Sequence, residues 1–486
     1  MKQLQISLSF IFLLFFIANA QKGKEKIPDQ SKNKQEIISS LNNKYDYYKE
    51  RAMKIWDYAE LGYKEEKSSA LLQQTLKENG FTVQSGVAEI PTAFVASYGS
   101  GAPVIGILAE FDALPGMSQE AVPEKKLIVG KNAGQACGHH LFGVASTAAG
   151  IEIKKLIEQK KLQGTVRVYG CPAEEGGSGK VYMVRAGLFN DVDVVIHWHP
   201  DEHNGVTITS ALANKSAKFR FKGIAAHASM SPEKGRSALD AVEAMDNMVN
   251  MMREHIPQET RIHYIITNGG KAPNIVPDFA EVYYYVRHPN RETVKSVFDR
   301  VVKAAQGAAI GTETEMEYEV MGGTHDLLLI QTLAEDMQKN LEMVGGVTYT
   351  ADEIEFGKKL QSTFNFSYPA IGSAVQVRPL KVVVGGGQGS TDVGDVSYVV
   401  PTVGLEAATW IPGTPAHSWQ AVACGGTEIG TKGMMVAAKT MALTAFDLYT
   451  TPDLITKAKE EFKKNKGDYQ YKALLGERKP ALNYRD

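Results

Sequence analysis

Cysteine is nearly absent from this 486-residue chain, which contains Cys137, Cys171 and Cys424 alone. A sparse, odd set excludes a disulfide framework and leaves thiols free for metal chemistry, with Cys137 the candidate. An excess of charge of one sign is missing too: 53 Lys and Arg stand against 55 Asp and Glu, with no basic block. Nucleic acid is therefore excluded as a partner, and nothing calls for anionic lipid. Long apolar runs are also scarce. The run at residues 11–18 is too short for a membrane span and leads into Ala18-Asn19-Ala20, a small-x-small cleavage pattern. Residues 1–20 are read as a secretory signal, so export to the periplasm or medium is expected, with no stable membrane insertion after cleavage. Residues 21–40, rich in Lys, Gln and Ser, are read as a tether.

Glycine is plentiful at 45 residues, which suits tight strand-to-helix turns. Apolar periodicity predicts helix over 41–80, 141–159 and 182–188, and strands at 103–109, 164–170 and 193–196. Polar residues gather where these strands end: Glu110 and Asp112, then Glu174 and Glu175, then His197 and His199. That pattern describes an α/β sheet with its site at the carboxyl edge. The character changes near residue 212. Strands at 216–222, 261–267, 279–287 and 312–320, with helices over 237–252 and 292–309, follow the β-α-β-β-α-β order of a ferredoxin-like unit. Signals of α/β type resume after about 325, with strands at 380–384 and 402–406 and a closing helix over 432–448. The expected fold class is α/β, with one domain in two parts (41–212 and 326–486) and a second inserted over 213–325.

Four short segments carry soft or borderline metal ligands. Cys137 and His139 flank Gly138, whose freedom lets both point the same way, and a thiolate is able to bridge two cations. Glu174 and Glu175 are adjacent, and adjacent carboxylates need different tasks: one binds metal while the other takes a proton. His197 and His199 share a strand face, and one of them suffices as a ligand. His417 in isolation reads as a surface histidine. It gains weight from the other segments in a chain with 11 histidines. Together they offer ligands for two ions and one spare carboxylate, the makings of a hydrolase.

The segments Ala109-Glu110-Phe111-Asp112-Ala113-Leu114-Pro115-Gly116, Cys137-Gly138-His139, Pro172-Ala173-Glu174-Glu175, Gly223-Ile224-Ala225-Ala226-His227 and Ser390-Thr391-Asp392 resemble the M20 metallopeptidase/amidohydrolase family. Within it they are similar to the amidohydrolase branch, which holds plant auxin-conjugate hydrolases and bacterial N-acyl-amino-acid hydrolases. The likeness covers nearly all of the chain after about residue 41. It implies a di-metal aminopeptidase-like catalytic domain and an inserted domain through which homodimers form. By motif, Cys137 bridges two divalent ions, Zn2+ or Mn2+, with His139 and His199 on one and Glu175 and His417 on the other. Glu174 is then the general base, and Asp112 orients a ligand. His227 reaches the other subunit's site to steady the oxyanion, while Asn274 and Arg287 hold the substrate's carboxylate. His140 stands where the family carries aspartate, and Thr391 where a glutamate often precedes Asp392. No role is assigned to His140, His197 or Asp392. The implied activity is hydrolysis, by a metal-activated water, of the amide bond of N-acyl amino acids or aminobenzoyl-glutamate-like substrates. A broad dipeptidase on the same scaffold is the alternative, and a non-catalytic periplasmic solute- or metal-binding protein is a third reading.

Overall fold

The computed structural model describes residues 30–207, 209–380 and 389–485. The signal read at 1–20 and most of the strand read at 380–384 fall outside them. Of the tether read at 21–40, residues 21–29 also lie outside the described residues, and the part from residue 30 on needs correction. Helix α1 (Gln30–Asn43) fully buries Ile37 and Leu41, one turn apart on a single face. Ser40 donates to Glu152 at 2.8 Å and Lys34 to Asn340 at 2.9 Å, so polar ends tie the helix down on both sides. Two apolar side chains at the right spacing outweigh the polar composition that suggested a tether.

The long helical pattern over 41–80 divides into α2 (Tyr45–Tyr58) and α3 (Glu66–Glu78). Ala59 and Tyr63, both left-handed, break it and turn the intervening loop inward.

The main sheet has seven strands in the order β1 (Thr82–Ser85), β2 (Phe94–Ser100), β4 (Gly164–Cys171), β3 (Val104–Glu110), β5 (Val194–Asp201), β11 (Thr402–Ala408) and β6 (Gly205–Val206). Strands β4, β3, β5 and β11 run parallel, and the pairings β1–β2, β2–β4 and β11–β6 are antiparallel. Residues 105–109 of β3 are all buried, as expected of a parallel strand covered on both faces. Helix α4 (His139–Glu158) packs on β3 and β5. Shared direction puts the carboxyl ends of the parallel strands on one rim, where the ligand-bearing turns emerge.

The inserted domain has a four-stranded antiparallel sheet of β7 (Ala213–Lys222), β8 (Arg261–Asn268), β9 (Phe279–His288) and β10 (Glu315–Thr324), ordered β8-β9-β7-β10. Helices α5 (Ala238–Met252) and α6 (Arg291–Thr312) cover one face, completing the ferredoxin-like order expected from the sequence. Strand β9 alternates strictly: Ala280, Val282, Tyr284 and Val286 enter that core. Strand β8 lies at an edge of the sheet with Ile265 and Ile266 exposed. At the joint between domains the Arg291 guanidinium lies 4.2 Å from the Tyr398 ring and 3.9 Å from the Tyr469 ring.

If α1 is part of the fold, Leu41→Ala will lower unfolding stability by about 2–5 kcal/mol, the range for a buried leucine. Denaturant titration checks this; a change within about 0.5 kcal/mol, as at an exposed site, would return the segment to a tether.

Candidate metal centre

Each central strand delivers part of the centre. Strand β3 ends at Glu110, two residues before Asp112, and β4 leads into the irregular turn Glu174–Gly177, while β5 carries His199. His139 is the first residue of α4 and Gly138 its N-cap. Gly138 is left-handed (φ 77°), and a Cβ there would stand 2.7 Å from Pro200. Glycine is therefore required where the Cys137 turn meets β5. The turn after β4 is left-handed at Ala173 (φ 56°), Gly176 (86°) and Ser178 (59°), and His417 is left-handed as well (56°). Such backbone costs on the order of 1–3 kcal/mol per non-glycine residue and persists where surroundings over-determine it. His417 is pinned by its N–H, which donates to the Ala136 carbonyl at 3.0 Å.

Two triplets of donor atoms share Cys137: Cys137, His139 and His199, and Cys137, Glu175 and His417, each within 4.8 Å of one another. The Cys137 thiol lies 3.4 Å from His199 Nε2, and Glu175 Oε1 lies 3.1 Å from His417 Nε2. Glu174 groups instead with Glu110 and His139. Asp112 serves both triplets. Its Oδ1 accepts from His139 Nδ1 at 2.8 Å, turning Nε2 toward the cluster, and its Oδ2 accepts from the Glu175 N–H at 2.9 Å. The remaining sequence-predicted residues stand on the inserted domain. Among the described residues, no hydrogen bond or ion pair joins His227, Asn274 or Arg287 to the cluster. His227 and Asn274 are exposed on neighbouring segments, where the Ala228 N–H donates to the Asn274 carbonyl at 3.0 Å. Arg287 is half-buried on β9 with its Nε unpartnered.

Negative charge dominates the rim. Burial, with Glu110, Glu175 and Asp392 nearby, pushes the Glu174 carboxyl well above the usual carboxylate range. Burial likewise pushes the Cys137 thiol up. Burial would lower His139, but Cys137, Asp112 and Glu110 outweigh it and hold the imidazole well above its ordinary value. Burial would raise Glu175, but His417 and His139 bring it to about 2. Glu110 Oε2 and His139 Nε2 lie 3.1 Å apart, as do Glu175 Oε1 and His417 Nε2, and both pairs are charge contacts rather than aligned hydrogen bonds. Carboxylate and imidazole donors gathered around a buried thiol are the environment a divalent cation completes, and the clusters fit a dinuclear site.

A family model described as a peptidase dimerisation domain matches residues 213–313. The chain is 42% identical over 440 residues to a subunit of the p-aminobenzoyl-glutamate hydrolase of Escherichia coli (strain K12), covering 85% of this chain and 91% of that protein. The chain belongs to the M20 peptidase family. It lies on the amidohydrolase branch and is a metal-dependent hydrolase of amide C–N bonds. Another relative, the Xaa-Arg dipeptidase of Mus musculus, is 29% identical over 84% of this chain and 87% of its own length. In fold, the chain is similar to a dinuclear metal binding peptidase of the M20 family from Bacillus subtilis, with a TM-score of 0.57 at 17% identity, covering 86% of this chain and 99% of that one.

This M20 centre also rests on residues outside the sequence-level site. Lys180 is fully buried, with Nζ 2.6 Å from Glu110 Oε1 and 2.7 Å from Asp392 Oδ1. Asp392 Oδ2 also accepts the Lys180 N–H at 2.8 Å, which gives Asp392 its role. Glu110 in turn lies 3.1 Å from His139 Nε2, so a chain of ion pairs runs from Asp392 through Lys180 and Glu110 to His139 of the cluster. The available signal was a lysine directly after Gly-Ser-Gly and directly before the apolar run Val181-Tyr182-Met183-Val184. His140 and His197 are core groups: burial lowers each to about 3, and the His140 ring lies 3.0 Å from the Gly425 carbonyl.

Lys180→Met leaves Glu110 and Asp392 facing each other without their cation, and should cost about 3–5 kcal/mol of stability in urea titration. His203 gives a pH-dependent case. Its ring lies 2.7 Å from Asp201 and 3.2 Å from Glu406. Burial would lower it, but these two carboxylates raise it to about 9, against roughly 6.5 unfolded. Protons bind the folded state more tightly, so the gain is complete below about pH 6.5 and lost as pH rises through about 9. His203→Gln should therefore be less stable than wild type at pH 6 by about 2 kcal/mol, and the gap should close by about pH 10. A gap that stays constant with pH would refute this ion-pair account.

Proposed function

We propose that this chain is a two-metal hydrolase that cleaves the amide bond of N-acyl amino acids, aminobenzoyl-glutamate-like compounds among them. One observation carries the reading: Glu174 stands beside the two triplets that share Cys137 and belongs to neither, grouping instead with Glu110 and His139. A protein that merely binds metal has no use for that free carboxylate. The E. coli relative's named activity supports the substrate class.

In this reading Cys137, His139 and His199 hold one ion, and Cys137, Glu175 and His417 the other. Zn2+ suits a thiolate with imidazoles, and Mn2+ accepts the same donors with looser geometry. When bound, the cations would acidify a water and polarise the scissile carbonyl. Glu174 takes the proton and returns it to the departing nitrogen, a shuttle suited to a carboxyl whose surroundings favour its protonated form. Asp112 keeps His139 and Glu175 in register. Arg287, with a free Nε, and Asn274 bind the substrate's carboxylate, and His227 steadies the developing oxyanion. Their separation from the cluster within one chain supports a homodimer in which each inserted domain serves the other's centre. The exposed edge of β8 is the pairing surface we propose. The apolar run at 11–18 supports export.

Dipeptidase activity is the second reading, favoured by the likeness to the Xaa-Arg dipeptidase. The test is hydrolysis by metal-loaded protein of N-acyl amino acids, p-aminobenzoyl-glutamate and free dipeptides. Acylated substrates should be cleaved, and Glu174→Gln should lose about 10²–10⁴-fold in kcat while still holding two ions. Preference for free dipeptides would favour the second reading, and metal uptake without turnover on any substrate would overturn both.

A further inference from the structure

The turn bearing Glu174 and Glu175 is held by groups from several parts of the chain. The Tyr63 hydroxyl donates to the Gly177 carbonyl at 2.7 Å, and Glu65 accepts the Ala173 N–H at 2.8 Å. The most remote tie is made to the Glu175 carbonyl. It accepts from the Tyr484 hydroxyl at 2.9 Å and from Arg485 Nη2 at 2.6 Å, groups 309 and 310 residues away. The Tyr484 ring meets Tyr63 edge-on at 5.5 Å, and its hydroxyl occupies the space beside Gly62, where a Cβ would stand 2.3 Å from it. The Arg485 guanidinium lies 4.7 Å from the Tyr484 ring. The path there is anchored: Leu474 and Leu475 are buried, and Arg478 pairs with Glu319 of β10 at 3.0 Å. Residues 474–485 thus form a strap from the inserted domain to the metal turn.

We propose that Tyr484 and Arg485 are positioning residues that fix the Glu175 peptide and thereby set the affinity of the ion held by Cys137, Glu175 and His417. The inference rests on the two-metal reading above. The Glu175 N–H is fixed by Asp112 and its carbonyl by the strap, so its side chain leaves the backbone in one direction. Left-handed Ala173, Gly176 and Ser178 surround it, and a strained turn relaxes when such ties are removed. The other triplet takes its imidazoles from α4 and β5, to which, among the described residues, the strap makes no hydrogen bond or ion pair, so the larger effect falls on the site that holds Glu175.

The experiment is a Zn2+ titration of the metal-stripped full chain, followed calorimetrically and by competition with a chromophoric chelator. Wild type should take two equivalents; fewer would overturn the two-metal reading and the strap with it. In Tyr484→Phe/Arg485→Ala, one equivalent should bind as in wild type and the other about tenfold or more weakly. The thermal midpoint of the metal-free protein should hardly move, and Arg485→Lys should keep most of the affinity. A chain lacking residues 480–486 retains Leu474, Leu475 and Arg478 and should show the same selective loss. Two equivalents at wild-type affinity in these variants would overturn the proposal. So would equal weakening of both alongside a lower midpoint, since that is general loosening.

Discussion

Unbalanced negative charge at the rim of the main sheet is the constraint on which the rest depends. Glu110, Asp112, Glu174, Glu175 and Asp392 converge around a buried thiol, and carboxylates this close in a low dielectric repel one another strongly. The fold meets the inner half of that charge itself. Lys180, without solvent contact, sits between Glu110 and Asp392 as a fixed counter-ion. The outer half, with Cys137, Glu175 and the imidazoles, has no such ammonium among the described residues, and its donor set suits divalent cations. A structural ion network and a metal site are thus two halves of one electrostatic problem, joined where Glu110 faces His139.

That arrangement needs backbone that ordinary residues avoid. Ala173, Ser178 and His417 are left-handed without being glycine, and each lies in or beside a ligand-bearing turn. Such strain is tolerable because the surroundings are rigid: parallel strands buried on both faces, and α4 packed across their ends. Gly143 shows how tight the fit is, since a Cβ there would stand 2.6 Å from the Glu110 carbonyl. Polar ties from Tyr63, Glu65, Asp112, Tyr484 and Arg485 then select one conformation of the turn.

The inserted domain has a separate core, and among the described residues His227, Asn274 and Arg287 make no hydrogen bond or ion pair to the cluster of the same chain. Arg291, lying against the Tyr398 and Tyr469 rings and paired with Asp326, makes the joint a packed contact rather than a free linker. The two domains therefore sit in a defined relation while the substrate-type residues on one stay apart from the cluster on the other.

Local chemistry was legible in the sequence. Apolar periodicity marked the alternating strands and helices, and the β-α-β-β-α-β order followed from where period two gave way to longer periods. The donor types at Cys137, His139, Glu175, His199 and His417, and the spare carboxylate of Glu174, could be read because metal chemistry favours those side chains beside tight turns. Composition misled at 30–40, where two buried apolar residues decided the outcome against many polar ones. Tertiary structure alone decided which groups meet: that Asp112 serves both triplets, that Lys180 and Asp392 pair across 212 residues, and that Tyr484 and Arg485 reach Glu175. Periodicity reports how a segment relates to its own neighbours within a few residues. Pairing across hundreds of residues depends on how strands order in a sheet and where packed helices turn the chain, and no local pattern carries that information.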